Sequence, residues 1–163
     1  MLQGSYKEVK GDLIDLYERG HFDVIVHGCN CQNLMGMGIA RALAEKYPEL
    51  MIADKEFPIP IQDYQRLGNY SKITHMNTET NRLCWILNAY TQYNPGKDLC
   101  YLALEMVLKK INFTYRPERI GIPLIGCGLG GGNWNIVKKI IKKHLKNCDV
   151  TVCFLPDDYN LME

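Results

Sequence analysis

Val24-Ile25-Val26-His27-Gly28-Cys29-Asn30 runs through Cys31-Gln32-Asn33-Leu34-Met35 into Gly36-Met37-Gly38-Ile39, and this stretch decides the fold. Asp23 to His27 is a near-continuous apolar run, the pattern of a strand buried on both faces. Ile39, Leu43 and Tyr47 then recur at helical spacing, and Pro48 limits that helix. Gly36 and Gly38 carry no Cβ, so the backbone there can approach a ligand closely. A helix start also presents free N–H groups and the positive end of its dipole, which suits phosphate. The same spacing also fits an ordinary strand-to-helix turn.

Working outward, strand and helix patterns alternate. Tyr6 to Val9 reads as a short strand. Phe57 to Gly68 has two prolines and no clear period, and reads as loop. Tyr70 to Met76 and Leu83 to Thr91 read as strands joined by the polar turn Asn77-Thr78-Glu79-Thr80-Asn81. Asp98 is placed to cap a helix running to about Asn112. Ile120 to Ile125 reads as a strand, although Pro123 sits more easily at a strand end or sheet edge. Asn133 or Asn135 can cap a last helix to about Leu145, and Asp149 to Leu155 is a final strand. Strands separated by helices predict a mostly parallel sheet with helices on both faces. Ligands of such sheets sit beyond the carboxyl ends of the strands, here after His27, Thr91 and Ile125.

The second glycine-rich segment is Ile125-Gly126-Cys127-Gly128-Leu129-Gly130-Gly131-Gly132-Asn133-Trp134. That density of glycine costs conformational entropy that a plain turn does not need, and it favours an anion cradle. Gly126, Gly128 and Gly131 match G-x-G-x-x-G, but only one strand follows, so the context is not that of a dinucleotide fold. No Lys-Ser or Lys-Thr ending makes it a Walker loop. Asp12, beside a strand end, can accept from an exocyclic amine or a hydroxyl, or simply cap a turn.

Composition narrows the field. The chain has 163 residues, which suits a single domain over 1–163. Its formal net charge of +1 gives no bulk attraction to nucleic acid or membrane, so an anion must be held locally. Seven scattered cysteines suit a reducing, cytoplasmic setting (or the interior of a host cell) rather than a secreted disulfide scaffold. Met1-Leu2-Gln3-Gly4-Ser5 leads straight into a strand-like segment, with no basic and apolar signal. Cys29-x-Cys31 has no second pair, so no metal or other cofactor is expected. Cys127, near a helix start, is either a reactive thiol or a small residue lining the cradle. Lys138, Lys139, Lys142, Lys143 and Lys146 interleave with Ile136, Val137, Ile140, Ile141 and Leu145, which marks a solvated helix face more than a nucleic-acid patch. A monomer is the default expectation.

Val9-Lys10-Gly11-Asp12-Leu13, Val24 to Asn30, Met35-Gly36-Met37-Gly38-Ile39-Ala40 and Ile122-Pro123-Leu124-Ile125-Gly126-Cys127-Gly128-Leu129-Gly130 resemble the macrodomain family, in order and spacing. The resemblance is nearest to its ADP-ribose-1″-phosphate phosphatase and terminal ADP-ribose glycohydrolase branch. It implies a three-layer α/β/α fold around a mixed, mostly parallel sheet, with ADP-ribose or a derivative as ligand. An ADP-ribosylated protein is a further partner that it allows.

The resemblance also implies roles. Asp12 would take the adenine amine, with the Leu13 backbone beside it, and Tyr159 would lie near the adenine. Asn30 and the backbone of Gly36, Met37, Gly38 and Ile39 would hold the distal ribose and a phosphate. Ile125, Gly126, Cys127, Gly128, Leu129 and Gly130 would wrap the diphosphate. His27 and Asn30 are the expected catalytic pair, with water as nucleophile, since a histidine titrates near neutral pH. The glycohydrolase branch uses a lysine on the strand before the long helix and an aspartate after Gly-Cys-Gly-Leu. This chain has Asn88-Ala89-Tyr90-Thr91-Gln92 and Gly130 at those places. Hydrolysis of ADP-ribose-1″-phosphate is therefore the expected activity. Binding without turnover and de-ADP-ribosylation by a different residue set remain the alternatives.

Overall fold

A computed structural model describes residues 3–163. Met1 and Leu2, which the sequence places ahead of the first strand, lie outside the described residues. Six strands form one sheet: β1 (Ser5–Lys10), β2 (Val24–Cys29), β3 (Tyr70–Asn77), β4 (Arg82–Tyr90), β5 (Arg119–Ile122) and β6 (Asp149–Phe154). Their spatial order is β1-β6-β5-β2-β4-β3. Only β3 runs antiparallel, paired with β4. The five parallel strands therefore bring their carboxyl ends to one rim.

The helices are α1 (Leu13–Glu18), α2 (Gly38–Lys46), α3 (Glu49–Glu56), α4 (Tyr101–Tyr115), α5 (Trp134–His144) and the short α6 (Tyr159–Met162). Alternation along β2 sets the layers. Val24 and Val26 join a core with Leu104 and Leu108 of α4 and Val137 and Ile141 of α5. Ile25 joins the opposite core with Leu13 and Tyr17 of α1 and Leu43 of α2. The strand read as buried on both faces is the centre of a three-layer α/β/α fold.

Four expectations shift. Pro48 closes α2 but also opens α3, whose start its φ of −56° fits. The segment read as loop holds a 3-10 turn at Tyr64–Arg66, capped by Asp63 through the Gln65 N–H. Asp98 does not cap α4; it accepts the Asn94 N–H at 2.7 Å, and Cys100 stands at the cap. β5 stops at Ile122, so Pro123 lies just past the strand end, where its missing N–H costs the ladder nothing.

Candidate functional site: a crevice between two glycine turns

Strands β5 and β2 are neighbours in the sheet, yet they send the chain to opposite faces. After β2 the chain enters α2, whose Leu43 packs in one core. After β5 it enters α5, whose Val137 packs in the other. Two loops that diverge from adjacent parallel strands leave a crevice between them at the rim.

The loops meet across that crevice. A Cβ placed on Gly38 would stand 3.5 Å from Leu129 Cδ1. In the first loop, the N–H groups of Met35, Gly36, Met37, Gly38 and Ile39 donate to no group among the described residues. In the second, those of Gly126, Gly128, Leu129 and Gly130 are likewise unspent. Gly38 adopts φ +60° and Gly126 φ +72°, conformations that L side chains rarely take. The loop fixes its own shape through Gly132 N to Gly126 O at 2.8 Å and Gly131 N to Gly128 O at 3.2 Å. Asn133 then caps α5, its side chain accepting the Ile136 N–H at 3.3 Å.

Two expected members of the second loop differ. The Ile125 N–H is spent on Pro123 O and the Cys127 N–H on Leu124 O. Both side chains are buried, and burial pushes the Cys127 thiol up to about 12, so it is no reactive thiol. Ile125 and Cys127 therefore support the turn from beneath, while the N–H groups of their neighbours Gly126 and Gly128 stay unspent.

At the far end of the rim, Gly11 N donates to Phe154 O at 2.9 Å, which sets the ends of β1 and β6 side by side. Asp12 follows, one oxygen accepting the Asp15 N–H at 2.9 Å as the cap of α1, the other with no hydrogen-bond partner among the described residues. The Leu13 side chain is buried. A groove of about 550 Å³ opens beside Asp12 between α1 and α2. Tyr159 is half-exposed, its ring edge-on to Phe154 at 5.4 Å.

The expected catalytic pair sits differently. His27 has no exposed surface, and Asn88 engages its Nε2 at 2.6 Å. Asn88 spends its N–H groups on Leu50 O and Ser71 Oγ, so its oxygen must accept and His27 Nε2 carries the proton. Burial lowers the His27 pKa to about 4, although the Asn88 bond opposes the shift. A ring sealed in the α3-side core and neutral at pH 7 is not placed for acid–base work in the crevice, which corrects that expectation. Asn30 is largely committed too. Its oxygen accepts the N–H groups of Gln32 and Leu34, and its Nδ2 donates to Leu34 O at 2.8 Å. One N–H of that amide is left to offer.

Sequence reasoning passed over the side chains beneath and beside the loops. The rim rule pointed beyond Thr91, and the segment there closes over the glycines. Leu99 N donates to Gly130 O at 3.2 Å, and the Lys97 stem packs at Gly131. Beneath the first loop, Asn33 Nδ2 donates to Asp54 at 2.7 Å, and Asp54 pairs with Arg66 at 2.7 Å. No local pattern announces a buried ion pair whose members lie 12 residues apart.

No family model matches the chain. The 17.5 kDa protein of the tk-vs intergenic region of Enterobacteria phage T4 is 32% identical over 150 residues, 90% of this chain and 94% of that protein. An ADP-ribose 1″-phosphate phosphatase of Aspergillus oryzae is 46% identical over 46 residues, 28% of this chain and 21% of that protein. Among solved structures, the macrodomain of Thermus aquaticus DarG superposes with a TM-score of 0.72 at 21% identity, covering 93% of this chain and 99% of that one. Thermosipho africanus DarTG in complex with ADP-ribose gives 0.75 at 20% identity over 96% of this chain and 43% of that one. With this sheet order, and with solved macrodomains superposing over more than nine-tenths of the chain, the chain has the macrodomain fold.

Proposed function

We propose that the chain binds ADP-ribose in the crevice between residues 35–39 and 126–130, and that ADP-ribose-1″-phosphate is its substrate. One observation carries the reading: two loops that follow adjacent strands, each with a set of unspent backbone N–H groups, come into contact there. Each unspent N–H is a donor fixed in direction by the fold, and oriented dipoles of this kind suit phosphate oxygens. Gly36 and Gly128 strengthen it. A Cβ on either would meet nothing within 4 Å, and neither has positive φ, so the fold itself asks for no glycine there. At Gly130, by contrast, a Cβ would stand 2.6 Å from Gly126 O. Asp12 would accept from the adenine amine with its free oxygen, and the Tyr159 ring would flank the base.

The complex of DarTG with ADP-ribose supports the ligand, and the partial relatives named as phosphatases support the ester. The chemistry this chain would supply is positioning and charge stabilisation. Water attacks phosphorus as the bond to the 1″ oxygen breaks, the water's proton passes to that departing oxygen to give ADP-ribose and inorganic phosphate, and the loop amides hold the charge that develops on the phosphoryl oxygens. With His27 sealed away, no side-chain base assists, so turnover would be slow. The same burial favours one rival, a protein that binds ADP-ribose without cleaving it.

Calorimetry against ADP-ribose, AMP and NAD, with phosphate release from ADP-ribose-1″-phosphate in parallel, tests both levels. The expected result is preference for ADP-ribose and slow, metal-independent phosphate release. Gly128→Ala should weaken ADP-ribose binding about tenfold, while thermal stability holds or rises by up to about 1 kcal/mol. Binding without phosphate release removes the substrate assignment, and equal affinity of Gly128→Ala and wild type removes the proposed crevice.

A further inference from the structure

The first loop lies over a charged group with no exposed surface. Arg66 is 0% and Asp54 1% exposed, and their ion pair measures 2.7 Å. Arg66 donates Nη2 to the Asp54 carbonyl at 2.8 Å and Nε to Ile59 O and Pro60 O at 2.8 and 3.0 Å. Its guanidinium lies over the rings of Tyr90 and Phe57, 5.0 and 5.5 Å from their centroids. The Tyr90 hydroxyl donates to the same Asp54 oxygen that Arg66 takes, at 2.6 Å. Ser71 links Tyr90 onward to Asn88. The other Asp54 oxygen accepts from Asn33 Nδ2 at 2.7 Å.

A buried ion pair adds little net stability over an apolar pair of the same size. Here it supplies something an apolar pair cannot: a charged acceptor, clamped from three sides, under a surface loop. Asn33 is where the loop grips it, and Asn33 adopts φ +61°. Between Asn33 and the start of α2, the two bonds between Leu34 and the Asn30 side chain (Leu34 N to Oδ1 and Nδ2 to Leu34 O) and the buried Met35 side chain are the further anchors. The unspent N–H run of residues 35–39 begins two residues beyond Asn33.

We infer that Asn33 is a positioning residue for the ligand. Asp54, held by Arg66 and Tyr90, fixes Asn33 in its left-handed conformation and so aims the N–H groups of residues 35–39 at the distal ribose and its phosphate. The inference rests on the binding reading above. Its physical basis is that a hydrogen bond to a fully buried carboxylate is about twice as strong as a neutral one.

The test separates the bond from the backbone shape. Asn33→Gly keeps the left-handed conformation without strain but loses the bond to Asp54; Asn33→Ala loses both. Each variant is titrated with ADP-ribose and AMP, and backbone hydrogen exchange is followed in the ligand-free protein. Both variants should lose affinity for ADP-ribose about tenfold, with AMP, which lacks the distal ribose and one phosphate, changed less than about twofold. Exchange should quicken at the Leu34 N–H, the bonded amide next to Asn33, and not in β4 or α5. Wild-type affinity or wild-type exchange in Asn33→Gly overturns the inference, because shape alone then suffices. Equal losses for both ligands overturn it as well. Failure of wild type itself to bind ADP-ribose overturns the binding reading and this inference together, whereas normal wild-type binding with unaffected variants overturns this inference alone.

Discussion

His27 ends a buried strand, and its chemistry is decided by a partner in another strand. It sits opposite Asn88 in the β2–β4 register and donates to that side chain. The sequence made the strand end legible from its apolar run, but not which face the ring would take or what would meet it. That depended on a pairing across 61 residues. The consequence is measurable. The folded pKa is about 4 against 6.5 for the free group, so between those values the unfolded chain binds a proton that the folded one refuses. The stability contribution is thus complete above pH 6.5 and lost as pH falls toward 4. Urea denaturation at pH 7, 6 and 5 should show wild type losing up to ~1.4 kcal/mol per pH unit more than His27→Gln, which can still donate to Asn88. Parallel slopes would count against a neutral, buried His27. The glycines were read more fully at this scale. Gly38 and Gly126 need their positive φ, while Gly36 and Gly128 have no internal reason to be glycine.

Elements whose caps and periods agree were legible, and those set by distant packing were not. The interleaved isoleucines and lysines of α5 gave its extent, and Asn133 caps it as one of the two expected asparagines. Asn133→Ala should cost about 1 kcal/mol, the usual worth of a side-chain cap. For a domain of this size that lowers the melting temperature by about 2–4 °C, readable by circular dichroism. An unchanged melting temperature would mean that the backbone bond from Val137 N to Asn133 O, at 3.0 Å, holds the end alone. Asp98 shows the opposite case. It has the right chemistry for a cap, but the tight turn at Asn94 claims it, and α4 starts later. The brace around Asp54 and Arg66 spans a segment without period, so nothing in its pattern marked it as support for the crevice.

Over the whole molecule, the rule that ligands gather at the strands' carboxyl ends located the crevice before any strand order was known. The order itself, with β6 and β5 between β1 and β2, needed coordinates. Net charge of +1 and recognition through backbone amides together predict shallow salt dependence. ADP-ribose affinity should fall less than about threefold from 50 to 500 mM salt, by calorimetry; a steep fall would assign the work to side-chain cations such as Lys97. The edge position of β1 has a temporal consequence. Its single neighbour is β6, and Ser5 aligns with Asp149, 144 positions later. During translation β1 has no seat until β6 has left the ribosome. Asp12, tied to that strand's end, therefore takes its place on the rim only after both glycine turns have been made.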